Sequence, residues 1–178
     1  ALEKVNLHKR IALNIVKLTG TTPNKVVLGF MLATAFMSMW ISNTASTVVM
    51  LPIAISVIKL LINDEDGFTK ADKNFALSIM LGIAFAANAG GIATVIGTPP
   101  NSVLIGLLEN QYNIQISFLS WMSFGLPFSI IMIAAVYFVL VKWMFPCKDI
   151  VFISSVNVID DEINNLGKIS KEEKRVLT

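Results

Sequence analysis

An all-α membrane protein is the fold class this sequence predicts, and three observations predict it. Hydrophobic residues make up 54% of the 178 positions and charged residues 15%, a balance foreign to soluble domains of this size. The charge is also confined, for Lys59 is the lone charged residue from Val26 to Ile62 and Glu109 the lone one from Asn74 to Val141. Each apolar block is interrupted near its middle by small and polar residues: SNTAST at 42–47 and NAGGIATVIGTPPNS at 88–102. The order expected is a re-entrant helical hairpin, a broken transmembrane helix and one full transmembrane helix, with cytoplasmic flanking helices at both ends.

The flank 1–24 opens on ALEKVNLHKR, which carries charge but neither the apolar stretch nor the small-residue cleavage site of a signal peptide. It starts without an initiator Met, which fits a piece of a longer protein, and reads as a helix lying on the membrane surface. The hairpin, 25–62, follows from length. As one straight helix the first apolar block would extend ~55 Å against a hydrocarbon core of about 30 Å. Folded at its middle it gives two arms of roughly 17 residues, with Ser42-Asn43-Thr44 at the tip. Asn43 or Thr44 suits the cap of the second arm, and Pro52 should kink that arm and free the Val48 carbonyl.

The polar run NDEDGFTKADK makes 63–73 a cytoplasmic connector; NDEDG lacks the ligand spacing of a calcium loop. The broken helix, 74–109, is again too long to be one span, ~52 Å for Asn74–Leu108. Consecutive glycines and prolines place the break: helix over Asn74–Asn88, an unwound stretch, then a short helix started by Thr98 as cap with Pro99 in its first turn. In the segment 110–145, Ile114–Val141 reads as an ordinary transmembrane helix, with Trp121 and Trp143 as interface anchors. Residues 146–178 return to the cytoplasmic surface, and DIVFISSVNVIDD within them fits helix or strand. With the hairpin returning to its own side, Lys25, Lys59, Lys70, Lys73, Lys142 and Lys148 share one face, as the positive-inside rule asks.

Non-helical backbone at membrane depth survives only inside protein or along a cavity. Two broken helices with freed carbonyls, hydroxyls and amides suit a hard monovalent cation, and helix N-termini suit an anion. Proton carriers usually place a carboxylate or histidine in the bundle. Here the one histidine, His8, lies outside both blocks, which favours sodium. Cys147 is the single cysteine, so neither an intrachain disulfide nor a Cys/His metal site is expected. The methionines of MLATAFMSMW read as packing, and Lys59 as a side chain reaching for the interface.

SNTAST with the downstream Leu51-Pro52, then GGIATVIGTPPNSV, then WMSFGLP at 121–127, together resemble the amino-terminal half of the divalent anion/sodium symporter family, over roughly residues 20–145. The resemblance implies transport of a dicarboxylate, citrate or sulfate with sodium, a cytoplasmic hairpin beside a broken helix, a homodimer held by scaffold helices, and elevator-like movement. It further implies one half of an inverted-repeat architecture. The second half, with its own Ser-Asn-Thr hairpin, finds no match in 103–178, so the remaining half of the transporter is an expected partner. Residue by residue it makes Ser42, Asn43, Thr44, Thr98, Pro99 and Asn101 candidates for the substrate. For sodium it implies Ser38, Ser42, Asn43 and Gly97. Thr98 stands where some members carry Ser. No organic cofactor and no nucleic acid are expected, and membrane lipid is the surrounding partner.

Three readings compete: a sodium-coupled carrier, an anion channel or uncoupled permease, and a membrane enzyme using Ser42 or Thr98 as nucleophile. The last lacks a general base in either apolar block.

Overall fold

The computed structural model describes residues 22–61 and 69–146; the backbone alone is described at Leu60 and Leu61. Most of the expected cytoplasmic segments 1–24 and 146–178, and most of the 63–73 connector, lie outside the described residues. Within them the chain forms five α-helices, α1 (Pro23–Ser38), α2 (Asn43–Leu61), α3 (Lys70–Ile92), α4 (Pro99–Tyr112) and α5 (Phe118–Phe138), the last running on into a π-helical stretch, Val139–Met144. No strand occurs among the described residues. Among the described residues two helices are long and apolar enough to cross a membrane, Lys70–Ile92 and Phe118–Met144.

The start of α1 is set by Thr22 in extended backbone and Pro23 at the first helical position, where a missing N–H goes unnoticed. Sixteen residues make it ~24 Å long, short of a full crossing. The chain turns over Met39–Ser42, so Asn43 and Thr44 are already the first residues of α2 rather than the apex. Ser42, not Asn43 or Thr44, serves as the cap: its Oγ accepts from the Ala45 N–H at 3.3 Å. That shift follows from helical arithmetic, because a side-chain cap reaches the N–H two or three residues ahead. Pro52 sits inside α2, which continues through it to Leu61.

α3 begins at Lys70, four residues before the apolar block. Thr69 and Asp72 form a capping box, with Asp72 N donating to Thr69 Oγ1 at 3.2 Å and Thr69 N to Asp72 Oδ2 at 2.9 Å. The charged residues 70–73 thus belong to a helix turn and not to a connector. α3 also outlasts the expected end at Asn88, running through Gly90 and Gly91 to Ile92. The glycines serve packing instead of breaking: a Cβ at Gly90 would collide with the Ala35 backbone, and one at Gly91 with the Asn43 side chain. Small residues permitting close approach of backbones is the usual device where lipid supplies no hydrophobic drive between helices.

α3 is the hub, packed along α1 and also against α2 and α5. Phe30, Met31, Met50, Phe75, Ile79 and Ile83 fill the fully buried centre. α4 stands largely apart, with Asn101 its single buried residue. It ends at Asn113 in the left-handed region, φ 53°, a conformation asparagine tolerates. α5 starts later than Ile114, at Phe118, because Ser117 provides the cap by accepting from Ser120 N at 3.1 Å.

Candidate functional site: the two helix breaks

Where α1 turns into α2 and where α3 gives way to α4, the chain leaves helical form, and the two places meet. Ser38, at the end of α1, is fully buried. Its Oγ lies 2.7 Å from Asn43 Oδ1 and 2.7 Å from the Ala87 carbonyl oxygen. A hydroxyl has one hydrogen to give. Asn43 Oδ1 and the Ala87 carbonyl, which also belongs to the ladder of α3, therefore converge on that one hydrogen. The other end of the Asn43 amide, Nδ2, donates to Asn88 Oδ1 at 3.0 Å. Ala87, Asn88 and Gly91 stand on one face of α3 at helical spacing; Gly91 gives the Asn43 side chain room to lie flat against that face.

The second break, Ala93–Thr98, is closed onto the first. Thr94, fully buried, donates from Oγ1 to the Met39 carbonyl at 2.5 Å and accepts from Gly97 N at 3.0 Å. Gly97 is pressed so close that a Cβ there would stand 2.5 Å from the Gly91 carbonyl oxygen and 2.9 Å from that of Ser38. No other residue fits such a cradle. Asn101 Nδ2 reaches back from α4 to the carbonyls of Gly91 and Thr94, at 2.9 and 2.8 Å. Trp121 of α5 donates from Nε1 to the Ile92 carbonyl at 3.0 Å. Carbonyls orphaned by the end of α3 are thereby answered by side chains, as burial requires.

Of the residues singled out from the sequence, Ser38, Asn43 and Gly97 come together, with Asn101 one link away through Gly91. Ser42 and Thr44, beside them at the start of α2, are exposed, as is Pro99; Thr98 is half-buried and its hydroxyl makes no cap bond with α4. Both hydrogens of the Asn101 amide are engaged by carbonyls, leaving its Oδ1, an acceptor ill suited to an anion. Trp121, expected as an interface anchor, holds the end of α3. Sequence reasoning missed Asn88, Gly91, Thr94 and the Ala87 carbonyl; a four-residue spacing from Ala87 to Gly91 was the available signal.

The cluster is polar without being charged. Among the described residues no three His, Cys, Asp or Glu side chains gather as metal ligands. The N–H groups of Asn43 and Thr44 open α2 ahead of the helical ladder, and α4 points its N-terminus at the same region. Because Pro99 and Pro100 have no N–H, the first donors of α4 are missing, and α2 is the richer of the two in free donors.

The chain matches the family described as Citrate transporter over residues 1–177. A sodium-dependent dicarboxylate transporter SdcS of Staphylococcus saprophyticus subsp. saprophyticus is 36% identical over 179 residues, covering 99% of this chain and 34% of the relative. One of Staphylococcus aureus strain USA300 is 35% identical over 181 residues, covering 100% of this chain and 35% of the relative. The chain spans about a third of the length of these curated relatives. The family and these relatives bear the names of transporters, not enzymes, in agreement with the motif resemblance.

Proposed function

Because this chain belongs to the citrate transporter family, matching it from residue 1 to 177, we propose that it forms the amino-terminal half of a multi-pass secondary transporter coupling sodium to movement of a small divalent anion. A C4-dicarboxylate is the leading substrate, on the strength of the sodium-dependent dicarboxylate transporters to which the chain is similar. α1 and α2 act as a hairpin entering and leaving by the cytoplasmic face, and α3 with α4 as the broken crossing.

One observation carries this reading: Ser38 Oγ, Asn43 Oδ1 and Ala87 O converge at hydrogen-bond distance with one hydroxyl hydrogen among them. A small cation suits that cluster of oxygens, and a site with no carboxylate among its oxygens suits a monovalent one. Sodium held there places positive charge beside the start of α2. The N–H groups of Asn43 and Thr44 and the hydroxyls of Ser42 and Thr98 then face a dianion whose charge the cation partly offsets. Anion affinity thus depends on sodium, which is the thermodynamic content of symport. Ser42, Asn43, Thr44, Thr98 and Pro99 line the anion's side; Asn101 keeps the break in shape. The remaining half completes the pocket, and homodimerisation with elevator-like movement follows the family resemblance.

The test is uptake of a radiolabelled C4-dicarboxylate by the full-length protein in proteoliposomes. Replacing sodium by choline is expected to abolish it, and preloaded substrate to accelerate it. Uptake indifferent to sodium and without counterflow points instead to a channel or uncoupled permease, and contradicts the proposal.

A further inference from the structure

We infer that Asn88 is a positioning residue for the Asn43 amide, the two side chains forming a relay with two settings that links cation to anion; the inference rests on the cation-site reading above. An asparagine side chain presents oxygen on one edge and NH2 on the other, and half a revolution about its last bond exchanges them. For a cation the exchange is decisive, since only oxygen attracts it. In one setting Asn43 Oδ1 faces Ser38 Oγ at 2.7 Å while Asn43 Nδ2 donates to Asn88 Oδ1 at 3.0 Å. Two oxygens then converge on one hydroxyl hydrogen, and Asn88, which is exposed, has neither hydrogen of its own Nδ2 bonded among the described residues.

Now let both amides turn over. Asn43 Nδ2 donates to Ser38 Oγ, which passes its hydrogen to the Ala87 carbonyl 2.7 Å away, and Asn88 Nδ2 donates to Asn43 Oδ1. Ser38 Oγ, Asn43 Oδ1 and the Ala87 carbonyl each then face a donor hydrogen without a cation. The two settings use the same atoms at the same separations, so moving between them needs rotation of two terminal bonds and no shift of helices. A cation favours the first by attraction to the inward oxygens; its absence favours the second by hydrogen-bond count.

The outer end of the relay changes sign with the inner one. With the cation bound, Asn88 turns NH2 outward, a donor that welcomes an anion; without it, Asn88 turns out its oxygen, which repels one. Asn88 thus reports cation occupancy to the anion's side of the site, and removing it uncouples the two.

The experiment measures succinate uptake by the full-length protein in proteoliposomes, recording sodium half-saturation and the succinate half-saturation at low and at saturating sodium. Asn88→Ala is expected to raise the sodium half-saturation roughly three- to tenfold and to shrink the sodium-induced gain in succinate affinity by a similar factor. Asn88→Asp, which keeps an oxygen for Asn43 Nδ2 and cannot take the second setting, holds the sodium half-saturation at or below the wild-type value while weakening succinate. Asn88→Ser, a milder change, falls between wild type and alanine and serves where alanine yields no folded protein. If Asn88→Ala and Asn88→Ser leave the sodium half-saturation unchanged, or if alanine and aspartate weaken sodium equally, the relay is wrong. Wild-type uptake blind to sodium overturns the cation site and the relay together.

Discussion

The polypeptide leaves helical form at Met39–Ser42 and again at Ala93–Thr98, and the two breaks are held in opposite ways. The first closes its N–H groups on itself, though its Met39 carbonyl accepts from Thr94: Met39 N donates to Ala35 O at 3.1 Å, and Trp40 N and Ile41 N both donate to Met37 O, at 3.0 and 3.1 Å. The second is held from outside, by Asn101, Trp121 and its own Thr94 reaching across to Met39. A tight turn satisfies its groups locally. A wider opening at the end of an α-helix leaves carbonyls that only remote donors can answer. The first break is therefore robust to local change, whereas the second depends on its partners.

That contrast can be broken by substitution, and the effects should be graded. The largest belongs to Gly90→Val, which drives a side chain into the Ala35 backbone and should lower stability by ~3 kcal/mol or more, or abolish folding; thermal unfolding of the full-length protein in detergent reads it. Next comes Asn101→Ala, which strips two buried carbonyls of their donor, worth about 2–3 kcal/mol. Thr94→Val preserves shape and removes one donor and one acceptor, so ~1–2 kcal/mol is expected. Ser42→Ala deletes an exposed cap at the first break and should register at about 0.5–1 kcal/mol. Should Ser42→Ala destabilise as much as Asn101→Ala, the two breaks are not held differently after all.

The same contrast explains what could be read from residues alone. A turn near the middle of the first apolar block was legible because so long an apolar run cannot be one span, and the break before Pro99 because Thr-Pro-Pro both starts a helix and withholds donors. The cap at Ser42 was misplaced by one or two residues because Ser, Asn and Thr all cap well in isolation. Gly90 and Gly91 misled for a physical reason: helix propensity counts their flexibility against them, while the packing of Ala35 and Asn43 on α3 makes anything larger untenable. Thr69 and Asp72 form an ordinary capping box hidden in a charged run. Trp121 and Asn88 were beyond reach, since each acts on a residue 29 or 45 positions away, and pairings of that range are fixed by how helices pack.

The claim on which the account depends is that the oxygens around Ser38 and Asn43 hold sodium, and sodium alone tests it. Thermal unfolding of the full-length protein, without substrate, would be followed in sodium chloride and in choline chloride at equal ionic strength. Sodium at about a hundred times its dissociation constant should stabilise the protein by ~2.7 kcal/mol, and Asn43→Ala should erase most of that difference while unfolding as cooperatively in choline as the wild type. Equal stability of the wild type in the two salts, or a sodium effect that survives intact in Asn43→Ala, would contradict the account.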